Sequence, residues 1–334
     1  MKKLVRVVGA ALAAVVLVLL GVFVVASVSA SNKLSQKLEA HAIDLTVPNP
    51  LRDDELAALR AERTTAGRTE PITSEELAQI AQERALARGK HLVEARYACG
   101  ACHGASFGGG VMLDDPAIGK VLGPNITSGK GGRVASYTHA DWDRIVRHGL
   151  KPDGSPAVMP SDEFFAMSDY ELSDIIAYLR SRPPVDAEVP PPSFGPVGKV
   201  LLATGKFPLS ASKVADHRRA HLANAPAAAD TKEFGAHLAA TCTSCHRENL
   251  AGGPMLFGPP SWPAAANLTQ HASGLGGYSF EDFERAMTQG IAKDGRPLRE
   301  PMTHVLPAAR AMTPTERRAL WTYLRAIEPK PTNP

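Results

Sequence analysis

The chain has 334 residues, about twice the usual domain length, so two domains or one large one are expected. Apolar residues make up 44% and charged residues 21%, which excludes disorder over the whole chain. Lys and Arg number 37 against 34 Asp and Glu, and setting aside Lys2, Lys3 and Arg6 leaves 34 against 34, so no nucleic-acid partner is expected. The 28 glycines and 27 prolines, with only 6% aromatics, suggest many loops and apolar filling by something other than side chains, which means a cofactor.

The chain opens with those three cations, followed by residues 7–28 without a charge. As a helix this run is about 33 Å long and crosses a bilayer. The basic flank stays in the cytoplasm, and everything after Ser29 lies outside. A cleaved signal peptide ending near Val28-Ser29-Ala30 is the alternative, disfavoured because signal cores usually run about 7–15 residues. Both readings export the body, and the first places it in the periplasm, anchored to the inner membrane. Residues 1–30 are read as this segment and 31–73 as a tether with a spacer helix over 51–66, lifting the body of the chain off the membrane.

A capping box, Thr73-Ser74-Glu75-Glu76, starts a helix that runs towards Cys99. Ala85, Gly89 and Leu92 are its predicted contact face for the last helix of the same domain. The four cysteines fall in Cys99-Gly100-Ala101-Cys102-His103 and Cys242-Thr243-Ser244-Cys245-His246. Two thiols one helical turn apart add to the two vinyl groups of one haem, and the next residue places an imidazole beneath the iron. Histidine makes up 11 of 334 residues, so its chance appearance after both pairs is on the order of one in a thousand. Export would allow two disulfides instead, and C-x-x-C pairs also bind zinc, but the separation of the pairs is far too long for a zinc finger.

A sixth ligand is needed if the iron is to carry electrons, and the methionine thioether is the soft one that raises potential. Met159 and Met302 each lie sixty residues past the first cysteine of their motif, in Pro- and Gly-rich turns after Asp153-Gly154 and Asp294-Gly295. Met112 and Met255, thirteen residues past, are predicted to pack at the haem edge. His304 is a rival for the second iron. Met167 and Met312 are read as core, and His91, His139, His148, His237 and His271 as surface or hydrogen-bonded groups.

The halves repeat beyond their ligands. Asn125-Ile126-Thr127 answers Asn267-Leu268-Thr269, and Thr138 and Ser279 are placed to cap short helices that end at Gly149 and Gly290. Capping boxes at Ser168 and Thr313 open last helices running to Tyr178-Leu179-Arg180 and Tyr323-Leu324-Arg325. Domains are placed at 74–184 and 231–330, with a Pro-rich linker and irregular strap over 185–230.

Gly123-Pro124-Asn125-Ile126-Thr127, residues 137–149, Met159-Pro160 and residues 167–180 resemble the repeats of dihaem and multihaem membrane-bound cytochromes c, including the cytochrome subunits of membrane-bound alcohol and gluconate dehydrogenases. The resemblance is close over 75–184 and looser over 232–329. It departs in having two haem motifs where those subunits carry three, in Arg247 where glycine would follow the motif, and in Thr303 where proline would follow the methionine. It implies a mainly α fold of two tandem class I cytochrome c-like domains after a transmembrane helix. Two covalent haem c groups would be held by Cys99, Cys102, Cys242 and Cys245, with His103 and His246 as proximal and Met159 and Met302 as distal iron ligands. The expected function is one-electron relay between a dehydrogenase or quinol-oxidising complex and a downstream cytochrome or oxidase. A dihaem peroxidase or thiosulfate-oxidising enzyme is the alternative; it needs an open or unusual sixth position, against which the equal methionine offsets count.

Overall fold

The structure is a computed structural model describing residues 2–255 and 261–334. Helix α1 (Lys2–Ser35) is longer than the apolar run, with a window of mean hydropathy 3.0 and most of its valines and leucines exposed, and is long and apolar enough to cross a membrane. Next come α2 (Asp53–Thr65) and α3 (Ser74–His91), which continues through a π-helical turn, Leu92–Arg96, into α4 (Gly100–His103). A hairpin of β1 (Gly110–Asp115) and β2 (Gly119–Gly123) follows, then α5 (His139–Arg147) and α6 (Asp169–Arg180). The strap contains β3 (Ser193–Phe194) and α7 (Pro196–Thr204). The second half has α8 (Lys232–Ala239), α9 (Thr243–His246), α10 (Phe280–Gln289), α11 (Met302–Ala311) and α12 (Pro314–Ala326).

The expected caps form. The hydroxyls of Thr73, Thr138, Ser168, Ser279 and Thr313 each accept from a backbone N–H of the first helical turn. Two cores result. The first gathers Val93, Tyr97, Trp142, Phe164, Met167, Leu172 and Ile176, with Cys99 and Met159 packed against it. The second gathers Phe234, Leu238, Leu250, Phe283, Leu320, Trp321 and Leu324, with Cys242 and Met312 against it. In each, the helix leading to the motif crosses the last helix at a glycine. A Cβ on Gly89 would stand 2.1 Å from Asp174 O, and one on Gly235 2.0 Å from Ala319 O.

The sequence reading missed the sheet, in which β2 pairs antiparallel with both β1 and β3. Its strands are short and interrupted by glycine, so no alternating apolar pattern announces them. Met112, predicted to pack at a haem edge, lies on β1 and is 39% exposed. The tether is packed rather than free. Leu45 enters the first core, Ser173 Oγ donates to Thr46 O (2.8 Å), and Glu55 of α2 pairs with Arg88 (2.6 Å). Where α1 emerges, Ala30 buries against Leu202 and Leu209, and Lys33 Nζ donates to the last carbonyls of α7, Leu202 O (3.0 Å) and Ala203 O (2.9 Å).

Candidate functional site

Each C-x-x-C-H string folds as the sequence anticipates, with the second cysteine and histidine on a single helical turn, α4 or α9. Burial pushes the Cys99 thiol up to about 12 and the Cys242 thiol up to about 11. All four cysteines are free, and none pairs as a disulfide.

His103 Nδ1 donates to Pro124 O (2.8 Å) and His246 Nδ1 to Ala266 O (2.7 Å). Desolvation holds both imidazoles below the usual histidine range, outweighing these bonds. Each ring is therefore neutral, oriented, and left with its Nε2 lone pair for a metal. The clamp is anchored by the Asn-x-Thr triplets that directly follow the carbonyls. Asn125 Oδ1 accepts from Thr127 N (2.9 Å) and Asn267 Oδ1 from Thr269 N (2.8 Å). The same amides donate to the chain beyond the last helices, at Val185 O and Lys330 O (2.7 Å each). The repeat made the triplets visible, but the carbonyl acceptors have no side-chain signature.

A haem fits the first core. Trp142 is 3% exposed and its Nε1 has no partner, although Cys99 and Met159 line the same cluster. A haem carboxylate would satisfy that donor, as it would the buried, unpartnered Arg285 Nε in the second half.

Met159 sits on a loop braced by the strap. Ser210 Oγ donates to Met159 O (2.6 Å), and Lys213 pairs with Asp162 (2.8 Å) just beyond. Ser161 Oγ ties the same loop to Ile145 O (2.8 Å). The strap, which offered no motif, thus positions a predicted ligand.

Met302 is placed differently. Bridges Leu150–Pro156 and Ile291–Pro297, with bonds Ala157 N to Gly149 O and Leu298 N to Gly290 O (2.7 Å each), align the two approach turns. In that register Met159 matches Glu300 and Pro160 matches Pro301, so Met302 falls two residues later, at the first residue of α11. The equal offset of sixty conceals a two-residue shortening before Gly290 and a two-residue lengthening after it. His304 turns outward, its side chain 63% exposed and 3.4 Å from Glu300. Met312, against the second core, is the counterpart of buried Met167 at the start of its capping box.

The two motifs face a shared element. The short helix Ser161–Phe164 after Met159 packs on Ala240–Cys242 at the entrance to the second motif. Burial pushes its Glu163 up to about 7, against the pull of the Ser244 hydroxyl. The Glu163 charge reaches Cys102 on one side and Cys242 and Cys245 on the other.

Helical units in which a thiol pair and a clamped imidazole meet an apolar core define the class of c-type haem proteins. The cytochrome c family model matches twice, over residues 86–183 and 233–328, more than half of the chain. The chain belongs to the cytochrome c family, which implies covalently bound haem c and electron transport. It is similar to the fructose dehydrogenase cytochrome subunit of Gluconobacter japonicus, 26% identical over 281 residues that cover 75% of this chain and 54% of that protein. The cytochrome c subunit of the quinone alcohol dehydrogenase of Gluconobacter oxydans (strain 621H) is 26% identical over 237 residues, covering 64% and 48%. The gluconate 2-dehydrogenase cytochrome c subunit of Pantoea cypripedii is 33% identical over 106 residues, covering 30% and 23%. The chain thus spans about half the length, or less, of these relatives.

Proposed function

We propose that the chain is a dihaem electron carrier, held by α1 in the inner membrane with both haem units in the periplasm, relaying single electrons from a dehydrogenase or quinol-oxidising complex to a downstream cytochrome or oxidase. The observation that carries this reading is the pair of matching clamps, His103 on Pro124 O and His246 on Ala266 O, each beside its own two thiols. Cys99 and Cys102 hold one haem and Cys242 and Cys245 the other; His103 and His246 are the proximal ligands, and Met159 and Met302 the distal ones. Haem c supplies a one-electron iron couple when bound. The protein packs Cys99 and Cys242 against its two apolar cores, orients the two imidazoles, and stiffens the Met159 loop through Ser210. The packing of Ser161–Phe164 on Ala240–Cys242 supports electron passage between the units, since it brings the first distal loop against the second attachment turn. A dehydrogenase as donor is supported by the relatives, which are named as subunits of fructose, alcohol and gluconate dehydrogenases.

Mass spectrometry of the exported protein is expected to give two covalent haem additions and no free thiol. Removing Met159 is expected to lower the potential of one haem and leave the other nearly unchanged. In the second unit, Met302→Ala is expected to do the same and His304→Ala to do nothing. One haem addition would overturn the dihaem reading. A His304 effect without a Met302 effect would make the second iron bis-histidine.

A further inference from the structure

Four histidines that take no part in the haem clamps converge below the end of α5. They come from three stretches far apart in sequence: His41 from the tether, His148 from just after α5, and His217 and His221 from the strap. Their hydrogen bonds fix which nitrogens carry protons. His217 Nε2 lies 2.9 Å from Ala211 O and must donate, so its Nδ1 is a lone pair. His148 Nδ1, 3.1 Å from that lone pair, donates to it, which leaves His148 Nε2 bare. His221 Nδ1 donates to Phe165 O (2.9 Å), leaving its Nε2 bare as well. These two bare nitrogens face each other at 3.1 Å.

Two buried lone pairs in opposition need a cation between them. Further ligands surround the same point. A ring nitrogen of His41 lies within 4.8 Å of the other two ligand nitrogens, and its Nδ1 is buried without a partner. Asp143 Oδ2 is also buried without a partner, 3.6 Å from His148 Nε2, while Oδ1 lies 3.8 Å from His221 Nε2 and accepts from Arg147 Nε (2.7 Å). Zinc bonds of about 2.0–2.2 Å in a tetrahedron put neighbouring donors about 3.3–3.6 Å apart. The 3.1 and 3.6 Å separations lie close to that edge.

We propose that His41, His148, His221 and Asp143 form a closed tetrahedral site for a divalent metal of borderline softness, zinc being the best match. The outer bonds are those a metal site needs. His217 and Phe165 O hold the remaining N–H groups of His148 and His221, and Arg147 holds the second oxygen of Asp143. With four protein ligands the site is structural. It fastens tether and strap to α5, and the strap in turn braces the Met159 loop through Ser210. It is separate from the haems and stands whether or not the relay reading holds.

The test uses the full-length, haem-loaded protein in detergent, stripped with a chelator, dialysed and offered Zn²⁺ alone. Elemental analysis is expected to return one zinc per chain above the haem iron, and zinc-edge X-ray absorption a shell of four nitrogen and oxygen neighbours with imidazole scattering. His221→Gln and His41→Gln are each expected to weaken binding by more than about a hundredfold, beyond the roughly 10–100-fold that the loss of an outer-shell partner costs. Unaltered haem content and spectra verify folding, and His271→Gln, outside the cluster, is expected to bind as the parent does. No tightly bound zinc, a six-coordinate oxygen shell, or parent-like affinity in both folded variants would overturn the site.

Discussion

Arg247 follows the second motif with φ 68° and ψ 161°, the angles that Gly104 adopts after the first at φ 76° and ψ 163°. That region is essentially reserved for glycine, and holding another residue there costs on the order of 1–3 kcal/mol. The turn is kept because Gly252 N must reach His246 O (3.0 Å), as Gly109 N reaches His103 O (2.9 Å). Arg247→Gly is therefore expected to stabilise the second unit by about 1 kcal/mol or more, read as a higher unfolding temperature with an unchanged haem spectrum. The departure from glycine was legible in the sequence, but its cost was not, since only the backbone angles reveal it. The same holds for Pro124 and Ala266, which act through main-chain oxygens that any residue could supply.

At the scale of elements, capping and glycine crossings were legible and strand pairing was not. Gly89 was predicted to face the last helix, and its repeat partner Gly235 sits in the equivalent crossing of α8 with α12. Gly235→Ala would drive a methyl into the Ala319 carbonyl, and overpacking of this kind costs about 1–3 kcal/mol. The expected outcome is a lower denaturation midpoint for the second unit, with Gly89→Ala doing the same to the first. Unchanged midpoints would mean the crossings open at no cost. The Met302 offset is the instructive case. Counting from Cys242 gave sixty residues in both halves, while the turn bonds at Gly149 and Gly290 place the two methionines two residues apart in register. Spacing alone cannot separate compensating changes in length from true equivalence.

Over the whole molecule, a buried charge network joins the two units. Arg96, at the end of the π-helical turn, pairs with Glu171 of α6 and with Glu316 of α12 (2.7 Å). Glu316 also takes His91 (2.8 Å), and Glu171 takes His237 of α8 (2.9 Å). Burial raises the pKa of both carboxyls, yet the histidine hydrogen bonds together with the Arg96 charge outweigh it and hold each at about 2. Carboxyls depressed in this way contribute stability above their ordinary value of 4.5, lost as pH falls from there towards 2. Acid titration is expected to loosen the contact between the units over that window before either haem is released. Arg96→Leu is expected to cost about 3–5 kcal/mol in urea unfolding, because it leaves two buried carboxylates facing each other. In the sequence Glu171 and Glu316 were read as capping-box positions and His91 and His237 as surface or hydrogen-bonded groups, since pairings across 220 residues leave no local trace.

The relay reading is tested most directly by potentiometric titration of the purified, full-length protein, followed by optical and electron paramagnetic resonance spectra. Two one-electron steps are expected, both from low-spin, six-coordinate haem with methionine as the sixth ligand, and neither reduced iron is expected to bind carbon monoxide. A single step, or one high-spin iron that takes carbon monoxide or peroxide, would contradict the relay and restore the dihaem enzyme in its place.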